Sequence, residues 1–239
     1  MAMRHLEDEL RQTGDPRDLE HADTIASMLK ARGSDIPLPS AATPVDASQT
    51  VQVRKETVPV VEVKRFSQEQ KEALEKQGFV IYGLTGQSIK TLRDSGHKFW
   101  SDWHKDYPDF EALGSMQSEV AINPNKPFLP KSNKKTLSQQ EEMVNKFSEE
   151  LGKEVKGVKA IIGQVPDYVE LVFQYLDKTK DYLFGAKDNY DYARTKTPTS
   201  GSSVALVGNS SAADGLRVDS WDSGNSSDVV HAAPLVVPV

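Results

Sequence analysis

Apolar and polar positions divide the chain into three parts. Residues 3–12 place Met3, Leu6 and Leu10 at helical spacing. After a break at Gly14-Asp15-Pro16, a second helix carries Ala22, Ile25, Ala26 and Leu29 on one face. Asp15 can cap that helix, Pro16 suits its first position, and Gly33 suits a left-handed end. Both apolar stripes are too narrow to fold alone. Leu6, Leu10, Ile25 and Leu29 are therefore expected to dock, on a protein partner, on a second copy or on the main body. Residues 34–50 carry Pro37, Pro39 and Pro44 without periodicity and read as a semi-extended linker.

From residue 51 the pattern is that of a folded body. Val58, Val60, Val61 and Val63 read as a strand, and Ser67 with Gln70 has the spacing of a capping box for a helix that stops at Gly78. A buried-type strand follows over 79–84, then a helix through Ile89 and Leu92 that Thr85 can cap. The spacing predicts a further helix over 97–106, stopped before Pro108, and a short strand over 119–122. Pro124, Pro127 and Pro130 space out a loop holding Lys126, Lys131, Lys134 and Lys135. Ser138 and Glu141 then open a helix with Met143, Val144, Phe147 and Leu151 on one face before Gly152. A strand at 158–162 and an amphipathic helix after Pro166 complete this half. Beyond Gly185, apolar runs at 190–195, 203–207, 216–221 and 229–237 alternate with turn residues, the signature of an antiparallel meander. The expected class is α+β: a mixed body over 51–239, preceded by a helical docking segment (1–33) and a linker (34–50).

Composition narrows the chemistry. The 239 residues suffice for one compact domain with extensions. The absence of cysteine excludes disulfide scaffolds, thiolate metal sites and cysteine nucleophiles. A net charge of -6 argues against broad nucleic-acid binding, which draws on clustered Lys and Arg. Acids among the first ten residues and the lack of a long apolar run predict a cytoplasmic chain without a membrane span. Asn209-Ser210-Ser211 and Asn225-Ser226-Ser227 fit a glycosylation pattern but read as turns.

Candidate sites are few. The turn at Gly83–Ser88 lacks the lysine and glycine spacing of a phosphate loop. On a 97–106 helix, His97, Trp100 and His104 would share one face and Trp103 a neighbouring one, a possible platform for a ring or a peptide side chain. Aromatics at this spacing more often build core. Arg194 in its strand could clamp an anion, with Asp219 or His231 as partners in a polar cleft. No metal-ligand spacing or cofactor fingerprint is present, so no metal and no cofactor is expected. The leading expectation is a non-catalytic protein-interaction or regulatory module; the alternative is a small hydrolase or transferase built around Arg194 and the C-terminal strands. Limited proteolysis tests the proposed boundary: the first cuts should fall between Gly33 and Thr50 and leave a body that unfolds cooperatively.

Overall fold

The computed structural model describes residues 63–100, 103–184 and 191–239. The docking residues Leu6, Leu10, Ile25 and Leu29, the linker and most of the strand expected near Val58 lie outside the described residues. Helix α1 (Gln68–Lys76) opens with the expected capping box: Ser67 N–H donates to Gln70 Oε1 (2.8 Å) and Gln70 N–H to Ser67 Oγ (3.2 Å). Strand β1 (Val80–Thr85) pairs antiparallel with β2 (Gln117–Ile122), from Val80↔Ile122 to Thr85↔Gln117. Between them lies α2 (Ile89–Asp94), capped by Ser88 with Thr91 rather than by Thr85. Thr85 is still strand, and both its N–H and its hydroxyl donate to Glu170.

The helix expected over 97–106 is not formed. Gly96 turns the chain at φ +99°, and residues 98–100 then run as an edge segment. Trp100 N–H donates to Leu216 O and Leu216 N–H to Lys98 O, both at 2.9 Å. Only Trp103–Asp106 makes a 3₁₀ turn, and Pro108 opens the short α3 (Pro108–Glu111) instead of ending a helix. The aromatic spacing that resembled a helix face serves contacts distant in sequence, such as Phe99 against Phe173.

Helix α4 (Leu137–Glu154) starts two residues earlier than expected, because Thr136 and Gln139 form the capping box in place of Ser138 and Glu141. It continues through Gly152, and the left-handed residue before β3 (Val158–Ile161) is Gly157 at φ +72°. Helix α5 (Val165–Thr179) is more than amphipathic. Every residue from Val165 to Phe173 is buried, including Asp167 and Glu170.

The remaining strands are β4 (Tyr192–Pro198), β5 (Ser203–Ser211), β6 (Gly215–Asp222), β7 (Val230–His231) and β8 (Leu235–Pro238). β4, β5 and β6 form the antiparallel meander, but β7 joins β4 in parallel. The run expected as one strand over 229–237 breaks before Pro234. β8 crosses to the other sheet, giving the orders β1-β2-β8-β3 and β6-β5-β4-β7. The Asn209-Ser210-Ser211 stretch is not a turn: Asn209, at φ 44°, sits at an irregularity within β5 and donates to Tyr192 Oη.

These strands and helices form layers. Leu84, Val120, Ile122, Leu235 and Val237 of the first sheet share one core with Val169, Leu171 and Phe173 of α5 and with Ala193, Ala205, Val207 and Val218 of the second sheet. The other face of the first sheet, Ala121, Ala160 and Val236, packs on Leu74 of α1 and Val144 and Leu151 of α4. α5 is thus the filling between two sheets. Among the described residues, no helix is long and apolar enough to cross a membrane.

β8 is internal, with Leu235 and Val236 fully buried and paired across to Ile161 and Ala160. Leu235→Ala should cost about 2–5 kcal/mol, a large part of a typical total of about 5–15 kcal/mol, read as a shift in denaturant midpoint. Gly215 turns the β5–β6 hairpin at φ +97°, and a Cβ there would collide with Lys98 O. Gly215→Ala should lower stability by at least about 1 kcal/mol; an unchanged midpoint would refute this account of the hairpin.

Candidate functional site

Polar side chains in a buried layer must be hydrogen-bonded. Asp167 accepts from Met116 N–H (2.8 Å) and Gln164 N–H (2.7 Å). Burial nevertheless raises its pKa above the usual carboxylate value, with the neighbouring Glu170 charge adding to the rise. Tyr168 donates to Ala233 O (2.5 Å) and accepts from Gly163 N–H (3.1 Å), and burial raises its pKa. Glu170 accepts from Thr85, Gln87 and Ser115. All three residues hold loops onto α5.

Arg194 is fully buried. Its guanidinium donates to Ser223 O (3.1 Å), Asn225 O (2.9 Å) and, more weakly, Lys135 O (3.4 Å). Burial lowers its pKa, with Asp222 opposing that shift. It staples two loops to β4. Asp219 pairs with Arg217 (2.9 Å) and accepts from Ser220 N–H, while His231 reaches Asp191 (3.1 Å) and stacks on Phe128. The three residues expected to share a cleft thus have separate partners.

The aromatic segment is also divided. His97 leans on Phe173 and meets Asp177 at 3.2 Å. Trp100 is 43% exposed under the Arg217 guanidinium, 4.9 Å from the ring centroid. His104 is fully buried, its Nδ1 2.6 Å from Glu111 Oε1 and 2.9 Å from Arg93 Nη2. The shared face of His97, Trp100 and His104 disappears with the helix that would have carried it.

What the sequence did not reveal is the Arg93–Glu111–His104 cluster. Arg93 stands in the last turn of α2, and both its Nη groups donate to the Glu111 carboxylate at the end of α3, one at 2.8 Å. This bidentate pair clamps the 97–112 excursion against the body. The Arg93 hydrogen bonds, helped by His104, hold the Glu111 carboxyl below its ordinary value, while burial acts in the opposite direction.

Above this clamp lies a groove of about 440 Å³. One wall is Trp103, Tyr107 and Phe110; the other is Pro198, Thr199, Ser200 and Ser220. Trp103 donates its indole N–H to Val218 O (2.8 Å), which fixes the ring, and its centroid lies 5.8 Å from Tyr107 and 5.4 Å from Phe110. Tyr107 is 56% exposed. Asp106 and Asp109 line the same groove, and among the described residues no cation forms an ion pair with either. Also among the described residues, no cluster of three His, Asp or Glu is placed to hold a metal ion. Comparison with family models, curated proteins and solved structures found no match to this chain.

The Glu111 clamp has a defined pH signature. A carboxyl whose pKa is depressed by folding stabilises the fold above its unfolded value, and that contribution is lost as pH falls through the lower folded value. Glu111→Gln should cost about 3 kcal/mol at pH 7, since it leaves Arg93 short of its buried partner. Thermal unfolding should show the gap between variant and parent closing below about pH 4. A gap that persists at low pH would mean that the charge of Glu111 is not what matters.

Proposed function

We propose that the chain is a non-catalytic, cytosolic protein-interaction module whose body binds its partner in the groove between the Trp103–Phe110 turn and the Pro198–Ser200 wall. One observation carries this reading. The charged side chains of the interior are committed to internal partners, whereas the aromatic and acidic side chains of the groove face outward on a clamped support. A rigid aromatic surface with a polar rim is the composition of a binding hot spot. For residues 1–33, a second docking role is supported by the spacing of Leu6, Leu10, Ile25 and Leu29. The alternative, a small hydrolase or transferase at Arg194, gains nothing from a guanidinium spent on backbone carbonyls.

Tyr107→Glu tests the reading. Because Tyr107 is exposed, the variant should keep its stability within about 0.5 kcal/mol of the parent. In quantitative affinity purification with the full chain, the retained partner should fall by at least about tenfold, the loss expected of an aromatic hot spot. Equal retention by parent and variant would remove the groove from the function.

A further inference from the structure

The lining residues of the groove narrow what can fill it. Trp103 stands edge-on to Tyr107, with 68° between the planes, and tilted to Phe110 at 42°, so the wall is stepped rather than flat. Pro198 forms the apolar part of the opposite side. Polar groups in the lining are hydroxyls and carboxylates; among the described residues, no amide, guanidinium or imidazole side chain lines the groove. A sugar ring could stack on the exposed Tyr107 ring, but the described lining offers its hydroxyl oxygens no amide or guanidinium donor, only hydroxyl groups.

Addition of a β-strand along β6 is also disfavoured. Lys98 and Trp100 already pair with Leu216, and the indole of Trp103 takes Val218 O. Further along, the Ser220 N–H is taken by the Asp219 side chain at 2.8 Å. The edge therefore offers an incoming strand few donors.

A polyproline II segment has complementary needs. It carries no internal hydrogen bonds, displays its carbonyls, and packs its rings between aromatic ridges. The slots beside Trp103 supply the ridges, and the exposed hydroxyls of Tyr107 and Ser200 supply donors. Asp106 and Asp109 put negative charge without a described counter-ion on the same groove, so the favoured segment is basic. Resting on the groove reading above, we propose that the site takes a proline-rich, arginine- or lysine-flanked segment of a partner protein in the polyproline II conformation.

The probe is a short amidated peptide that alternates proline with leucine between two terminal arginines. Its counterpart carries glutamate at both ends, and a glucan oligosaccharide serves as a third ligand. The full chain has three tryptophans, whose indole N–H signals can be assigned by single Phe substitutions at Trp100, Trp103 and Trp221. The expected result is a saturable shift of the Trp103 signal by the arginine peptide, with Trp100 and Trp221 unmoved and little response to the glutamate peptide. Tyr107→Ala should weaken binding at least about tenfold. Asp106→Lys with Asp109→Lys should weaken it severalfold and remove most of its dependence on ionic strength between about 0.05 and 0.5 M.

Equal binding of the two peptides would overturn the basic specificity. A Trp103 response to the oligosaccharide but not to the arginine peptide would overturn the occupant and leave the groove as a binding site. No Trp103 response to the arginine peptide, in a chain whose partner retention still falls with Tyr107→Glu, would reject the proline-rich segment while the interaction function stands.

Discussion

A helix buried on both sides has no solvent face for its polar groups, and α5 lives under that constraint. Between Val165 and Phe173 it carries an aspartate, a tyrosine and a glutamate into the layer between two sheets. An unpaired polar group there costs several kcal/mol, on the order of the worth of a large apolar side chain. Each must therefore find its partner from another element. Asp167 draws in Met116, Glu170 draws in Thr85, Gln87 and Ser115, and Tyr168 reaches Ala233 in the crossover between the sheets. The need to satisfy three side chains thereby fixes where the connections of the first sheet run, and with them the start of α2.

The aromatic turn inherits its position from that frame. α2 ends in Arg93, Arg93 holds Glu111 and His104, and Trp103 sits on β6 through its indole N–H. A surface held at both ends loses little conformational freedom when a ligand arrives, so less of the contact energy is spent on ordering it. The placement of Tyr107 is in this sense tied to the buried Glu111, whose N–H donates to Tyr107 O at 3.0 Å.

Local signals were read well where local chemistry decides the outcome. The Ser67–Gln70 box, the glycine stop at Gly78 and strand β1 after it follow from neighbours in sequence. Two signals overlap at the start of α4: Thr136–Gln139 and Ser138–Glu141 both have capping-box spacing, and the earlier one caps. The α+β class and the meander emerged from periodicity and turn residues. The parallel placement of β7 did not, since strand direction is a tertiary property. The missing helix at 97–106 failed for a related reason, because its aromatics are spaced for Phe173 and β6 rather than for one another. Of the groove, sequence pointed to Trp103 alone. Tyr107 and Phe110 lay in the same aromatic-rich region, but Pro198 and Ser220 arrive from strands some ninety residues or more away. Buried pairs such as Arg93 and Glu111 leave no trace in a one-dimensional pattern, because a charged residue looks alike whether it faces water or its counter-ion.

The crossing of β8 between sheets sets an order of events during synthesis. β1 and β2 can pair as a hairpin soon after they leave the ribosome, and the meander of β4, β5 and β6 is likewise contiguous in the chain. Among the described residues, β3 has no partner earlier in the chain, and its ladder is with residues 235–238. For about seventy-five residues of elongation, on the order of several seconds at cellular translation rates, β3 and the Ala121 end of β2 await β8, while Lys64 can already pair with Ser118 at the other end of β2. α1 and α4, which precede β3, are then available to cover one face of the incomplete sheet through Leu74, Val144 and Leu151, and the hydroxyl of Ser148 on α4 accepts from the N–H of Ala160 at 2.8 Å. One apolar face of the first sheet can thus be covered before the last strand of that sheet emerges.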